Sequence, residues 1–191
     1  MLPAVANADS TFTSLSAWQA AVGTWTETQS LGVSNGTNVT SVTLADGTVL
    51  GLTGATQTVK SIGAGWATWC CGYTGQVIAN FAATSVSASI TPTVGGLGMF
   101  IEPNTFSMFD VTLLLNTGAT ITQTVDGSFG AAFFGYTGSD VTRVTISSTD
   151  TSGFAYGDFF TTPVQAPEPA SIMLLGTGLL ALGGRFRRKK T

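Results

Sequence analysis

The sequence predicts an all-β protein: a single β-sandwich or jelly-roll-like domain, followed by one short C-terminal transmembrane helix. Three observations lead there. Strand-length runs recur along the chain, each cut off by Gly, Asn, Asp or Pro, at spacings of about 8–12 residues. The polar set is dominated by Thr and Ser, with 12 Phe and 4 Trp and only 9% charged residues. That composition suits pleated, half-buried surfaces and is unlike a disordered segment. No strand–helix–strand rhythm and no internal repeat interrupts the pattern.

Taken in order, the elements justify themselves locally. Residues 14–22 form the best helix candidate of the body. Ser14 or Ser16 can cap it, Leu15 and Trp18 share a side, and Gly23 can end it. Runs at 24–31, 37–44, 48–52 and 56–62 read as strands, and Asp46-Gly47 supplies a tight turn between two of them. Val86, Ala88 and Ile90 alternate with Ser85, Ser87 and Ser89, a half-buried strand expected to end at Pro92. Residues 97–101 and 131–136 are continuous apolar runs, as in strands buried on both faces. Residues 106–115 and 119–125, joined by Asn116-Thr117-Gly118, read as a hairpin, and Asp126-Gly127 opens the next turn. Strands at 141–148 and 153–160 complete the set.

Charge excludes several functions. The chain of 191 residues is long enough for one sizeable core. Residues 1–184 hold ten carboxylates against Lys60 and Arg143, a balance of −8, and the end of the chain brings the total back to −3. A body so poor in Lys and Arg is unsuited to neutralising phosphates, so nucleic acid is excluded as a partner. It is equally unsuited to an anionic membrane surface. The chain has no His, hence no Ser-His-Asp or Cys-His arrangement and no His-ligated metal. Glu27 or Glu102 with an Asp could in principle serve glycoside hydrolysis, but no spacing supports it. No catalytic residue and no cofactor is assigned. Asp9 and Asp158 lie near the two ends of the domain, where oxygen ligands could hold Ca²⁺. No ligand-dense spacing accompanies them, and no metal is assigned.

The last 25 residues are built differently. Pro167-Glu168-Pro169 comes first, then the uncharged stretch Ala170 to Gly184, then Arg185, Arg187, Arg188, Lys189 and Lys190. Prolines are costly inside a helix, so a helix should begin after them. Fifteen residues make a helix of about 22 Å. A hydrocarbon core is about 30 Å thick, so the span is short and needs snorkelling flanks. The basic cluster stays cytoplasmic and turns the body outward. At the other end, Ala6-Asn7-Ala8 is a small-x-small site of the kind a signal peptidase cuts. Residues 1–8 are therefore read as the remnant of a secretory signal. The organisation expected is a sandwich at 9–161, a linker at 162–169, the helix at 170–184 and a basic tail at 185–191.

Pro-Glu-Pro, the Leu/Gly-rich span and the Arg-rich end together resemble the PEP-CTERM sorting signal of exported proteins of Gram-negative bacteria. The resemblance implies recognition by an exosortase and processing near the Pro-Glu-Pro turn. It also implies a precursor anchored in the inner membrane, a mature protein at the cell surface or outside it, and a link to exopolysaccharide and biofilm. The body is similar to small exported proteins that carry this same tail, through Gly98-Met99-Phe100-Ile101-Glu102-Pro103-Asn104, residues 130–136 and residues 154–159. That resemblance implies a jelly-roll sandwich and no particular activity.

Two features of the body invite chemistry. Cys70 and Cys71 are adjacent, and in an exported protein Cys usually means disulfide. A vicinal bridge would be strained, since neighbours lie about 3.8 Å apart and disulfides prefer about 5.5–6 Å between Cα atoms. A vicinal disulfide, reduced thiols and intermolecular bridges all stay open. Around the pair stand Trp66, Trp69 and Tyr73 on a Gly-rich loop. Such rings can stack on sugars, with Asn80, Glu102 and Asn104 as candidate polar partners. They can equally cap the end of the core. The two function classes that follow are a non-enzymatic exported matrix protein and a lectin-like module for polysaccharide.

Overall fold

The computed structural model describes residues 9–164. Both the secretory remnant at 1–8 and the whole sorting segment at 165–191 lie outside the described residues. The described chain holds twelve strands and one short helix: β1 Ser10–Phe12, α1 Leu15–Val22, β2 Thr26–Thr28, β3 Asn38–Val39, β4 Ser41–Thr43, β5 Val49–Thr53, β6 Gln57–Ser61, β7 Gln76–Phe81, β8 Ser85–Pro103, β9 Met108–Leu115, β10 Thr120–Asp126, β11 Ala132–Ser148 and β12 Gly153–Thr162. The protein is thus mostly β, and none of the helices among the described residues is long and apolar enough to cross a membrane.

Two long strands organise the rest. The first half of β8 pairs β5 on one side and the second half of β11 on the other, and β9 and β10 continue that run. The second half of β8 pairs the first half of β11 and also β12, beyond which lie β7, β6 and β3. All twelve strands are therefore hydrogen-bonded into one sheet. The sheet doubles over, because inward residues of both halves meet in one core. Leu50, Val86, Ile90, Leu113, Val144 and Ile146 of one half join Ile78, Leu97, Ile101, Phe134, Tyr136 and Phe154 of the other. Near the middle of this core the Tyr156 hydroxyl donates to Gln57 Oε1, which satisfies both buried groups.

The expected strands are present with several differences. Runs predicted as separate strands on either side of Pro92, and at 131–136 and 141–148, are the halves of β8 and β11. Pro92 does not end its strand, because its neighbours continue the chain along the sheet and the pairing resumes at Val94↔Val141 after a register shift. The strand expected at 24–31 shrinks to three residues, and the one at 37–44 splits into β3 and β4. β1 and β7 have no counterpart among the predicted strands. The predicted hairpin is β9–β10, with Leu114 opposite Thr120 and Met108 opposite Asp126. Gly47, in the left-handed region at φ +87°, lets Asp46-Gly47 close β4 onto β5.

α1 covers the outer side of the sheet. Gly23 ends it in a positive-φ conformation, whereas the Ser14 side chain bonds Ser16 instead of capping the helix. Trp18 is fully buried against Phe100, Phe133 and Phe160, and its Nε1 donates to the Tyr136 carbonyl at 2.9 Å. Gly98 and Gly135 make room here: a Cβ at either would come within 3 Å of the Phe133 ring. This explains the continuous apolar runs, since Phe100 and Phe160 face α1 while their neighbours Ile101 and Phe159 face the main core.

Replacing Trp18 with Ala should lower the unfolding free energy of the full chain, in detergent, by about 3–5 kcal/mol. Urea titration followed by circular dichroism measures this, and a change under about 1 kcal/mol would mean that the helix is not needed to cover the sheet.

Candidate functional site

The loop 62–75 lies between β6 and β7 and folds over the outer face of β7, β12 and β8. Trp66 packs there on Val77, Ala79 and Ala155, with Ile62, Trp69 and Tyr73 around it. Strand alternation puts Glu102 of β8 on that same outer face, two residues beyond Phe100. Glu102 is fully buried, and its two oxygens are held separately. Oε2 accepts from Trp66 Nε1 at 2.6 Å, and Oε1 accepts from Thr68 Oγ1 at 2.5 Å. Burial pushes the Glu102 carboxyl above its ordinary range, and the two donors pull it back.

Of the ring residues expected to meet a ligand, three are committed to structure. Trp66 is 6% exposed and tied to Glu102. The Tyr73 hydroxyl donates to the carbonyls of Gln76 (2.7 Å) and Gln29 (3.1 Å). Trp69 packs against Tyr73 with ring centroids 6.0 Å apart, and its Nε1 is buried without a hydrogen-bond partner. Asn80 faces inward, fully buried, with its amide on the Phe154 carbonyl. Asn104 stays at the surface, its amide donating to Ser152 O at 3.0 Å. The sulfurs of Cys70 and Cys71 lie 2.6 Å apart. Cys70 packs against the Trp18 cluster, where burial pushes its thiol up, and Cys71 is exposed.

The structure adds two rings that sequence reasoning passed over. Phe81, at the end of β7, is 48% exposed, and Phe106, just after Asn104, is 63% exposed. With Trp66, Thr68, Pro103 and Asn104 they line a cleft of about 180 Å³. Trp66 stands 6.3 Å from the Phe81 ring, and the Lys60 ammonium lies 5.7 Å from the centroid of Phe81. The signal that could have found Phe106 is its place as an aromatic inside the polar turn Pro-Asn-Thr-Phe-Ser. A larger open groove of about 710 Å³ runs along Ser89–Thr93, Asn116, Thr142 and Arg143, with no aromatic on its walls. Asn116 there is already engaged by Asp140 O and the amides of Thr142 and Arg143.

An exported protein is what the C-terminal segment defines. Residues 165–189 match the PEP-CTERM protein-sorting motif, which bears out the resemblance read from Pro-Glu-Pro, the apolar span and the basic end. No curated protein matches the chain. Among solved structures, the xylanase 10B of Clostridium thermocellum, solved as CBM22-1–GH10 modules with xylohexaose, is 12% identical at a TM-score of 0.35, over 59% of this chain and 25% of that one. CsCBM6-3 of Clostridium stercorarium, in complex with cellobiose, is 16% identical at a TM-score of 0.34, over 71% and 97% of the two chains. The family 11 carbohydrate-binding module of a Clostridium thermocellum cellulosomal cellulase is 9% identical at 0.33, over 72% and 95%. The chain thus spans a quarter of the xylanase. Likenesses this slight carry no argument about what it binds.

Glu102→Ala should destabilise the full chain by about 1–3 kcal/mol, because Trp66 Nε1 and Thr68 Oγ1 lose their buried acceptors. The pH dependence has a definite sign. A carboxyl raised in the folded state contributes stability below its unfolded value of about 4.3, and that contribution fades as pH rises through the folded value. Glu102→Gln should therefore lose less stability than the parent as pH rises above about 4, as read from urea midpoints. An identical or steeper loss in the variant would contradict this account.

Proposed function

We propose that this chain is a non-enzymatic exported protein, anchored in the inner membrane by its PEP-CTERM signal, cut near that signal by an exosortase, and delivered as the mature protein to the cell surface or the extracellular matrix. The observation that carries the reading is the sorting motif at 165–189. Pro167, Glu168 and Pro169 are the recognition turn, Ala170 to Gly184 the temporary membrane anchor, and the Arg/Lys end its cytoplasmic stop. The acidic body suits release, having nothing to hold it to an anionic bilayer. The lining of the aromatic cleft contains no carboxylate, and glycoside hydrolysis needs two. Changing Pro167-Glu168-Pro169 to three alanines should leave the body folded and the protein retained, unprocessed, in the inner membrane. Fractionation and mass measurement check this; arrival at the surface at the normal mass would sink the sorting assignment.

A second reading is favoured by the exposed pair Phe81 and Phe106. In it the mature protein holds the producer's polysaccharide in the cleft beside Trp66. The rings offer apolar faces to a sugar, and Thr68 and Asn104 stand at hand as hydrogen-bonding groups. The loop that carries Trp66, Trp69 and Tyr73 then acts as the cleft's wall, not its platform. Phe106→Ala should weaken binding to that polysaccharide up to roughly tenfold, the equivalent of about 0.5–1.5 kcal/mol for one ring contact. Affinity electrophoresis of parent and variant measures it, and an unchanged mobility shift would remove the cleft from consideration.

A further inference from the structure

On the outer face of β12, under the same loop, lies a second cluster that the cleft does not use. The pairing of β12 with β8 slips between Gly157 and Phe160, which marks a bulge. Asp158 sits in it at φ +51°, a left-handed conformation that Asp tolerates better than most residues. Its side chain is only 7% exposed, and its Oδ1 has no hydrogen-bond partner. β2 pairs with the residues just beyond, Glu27 opposite Phe160. This brings the Glu27 carboxyl within hydrogen-bond reach of the Asp158 carboxyl. Asp9, the partner that position along the chain suggested, lies beside Gly138 of β11.

Two acidic groups face each other here with no cation to answer them. Lys60 and Arg143 are the two basic side chains among the described residues. Lys60 lies over Phe81, and Arg143 lines the groove on the other half of the sheet. The other titratable neighbours are Cys70 and Tyr73 from the loop. Tyr73 presents a hydroxyl, anchored on the carbonyls of Gln29 and Gln76. A buried carboxylate oxygen without a partner is costly, and a second carboxylate beside it raises the cost. A bulge residue in a strained conformation, aimed at another strand's acid, is the kind of feature that a ligand stabilises.

The donor set decides which ligand. It is hard oxygen, with an open side at Glu27, which is exposed. Among the described residues no three acidic, Cys or His side chains gather, so water and backbone oxygens must complete any shell. Irregular, water-rich oxygen coordination suits Ca²⁺ better than Mg²⁺, which demands near-octahedral geometry. We propose that Asp158 and Glu27 form a Ca²⁺ site that pins β2 to the bulge of β12. With two carboxylates the affinity belongs to the weak, extracellular class, about 10⁻⁴–10⁻³ M, which matches a protein exported to a Ca²⁺-containing medium.

The test uses the full chain in detergent, with EGTA or with CaCl₂ at about 5 mM, well above that affinity range. Ca²⁺ should raise the melting temperature by about 5 °C. Tb³⁺ should bind in its place and luminesce when Tyr73 and Trp69 are excited, and Ca²⁺ should quench that signal by displacement. Asp158→Asn and Glu27→Gln should each abolish both effects, and each should melt at or above the parent in EGTA, since the repulsion is gone. Glu27 is exposed, so Glu27→Gln keeps the test open if Asp158→Asn does not fold. A parent that shows no Ca²⁺ shift and no Tb³⁺ luminescence would overturn the proposal, leaving the two carboxyls to share a proton. A shift produced by Zn²⁺ and not by Ca²⁺ would overturn it as well, and would point to the neighbouring thiols.

Discussion

Strands β8, β11 and β12 are buried on both faces over much of their length, and the pieces outside the sheet are arranged by that constraint. A strand that is apolar on both sides needs two covers. The first is the other half of the same sheet, folded across the main core. The second is assembled from unlike parts: α1 lays Trp18 over Phe100, Phe133 and Phe160, and the loop 62–75 lays Trp66 over Val77, Ala79 and Ala155. Between these two lids the outer face also carries polar groups, Glu102 and Asp158. The cleft forms where an irregular loop fits over a regular sheet, and the carboxylate pair where β2 meets the bulge of β12.

That arrangement explains what could be read in advance. Alternation at 85–90 revealed a strand with one wet face, and the unbroken apolar runs at 97–101 and 131–136 announced strands with none. Trp18 and Leu15 on one side of a short helix pointed to a packed cover, as found. β7 was passed over because Gln76 and Asn80 break its pattern. Both are polar for reasons that only the folded chain supplies: Gln76 holds the backbone of Leu31 and Val33, and Asn80 holds Phe154 O inside the core. The continuity of β8 through Pro92 was hidden for a similar reason, since proline normally marks an end.

The site was legible in part. The Trp66–Tyr73 stretch was recognisable as special from its aromatic and Gly content, and Glu102 was named with it. What the sequence could not convey is the direction of those groups. Trp66 turns its indole N–H down onto Glu102, so the residue that looked most like a sugar platform became a structural tie. The rings left at the surface, Phe81 and Phe106, come from β7 and from the turn after β8, 25 positions apart. They meet only because β7 and β8 flank β12. The same long-range logic joins Glu27 to Asp158. The sorting segment, by contrast, is a local signal, and local signals survive translation into sequence intact.

Lys60 lies against Phe81 and Arg143 lines the groove on the other half of the sheet. They also define what a trypsin-like protease can do to this protein. Such enzymes cut after Lys or Arg, and between residues 9 and 164 these are the two places that qualify. Both lie inside paired strands, β6 and β11, where the backbone must first leave the sheet before an enzyme can bind it. A body with almost no basic residues, and those few locked in ladders, resists trypsin-like cleavage until its sheet opens.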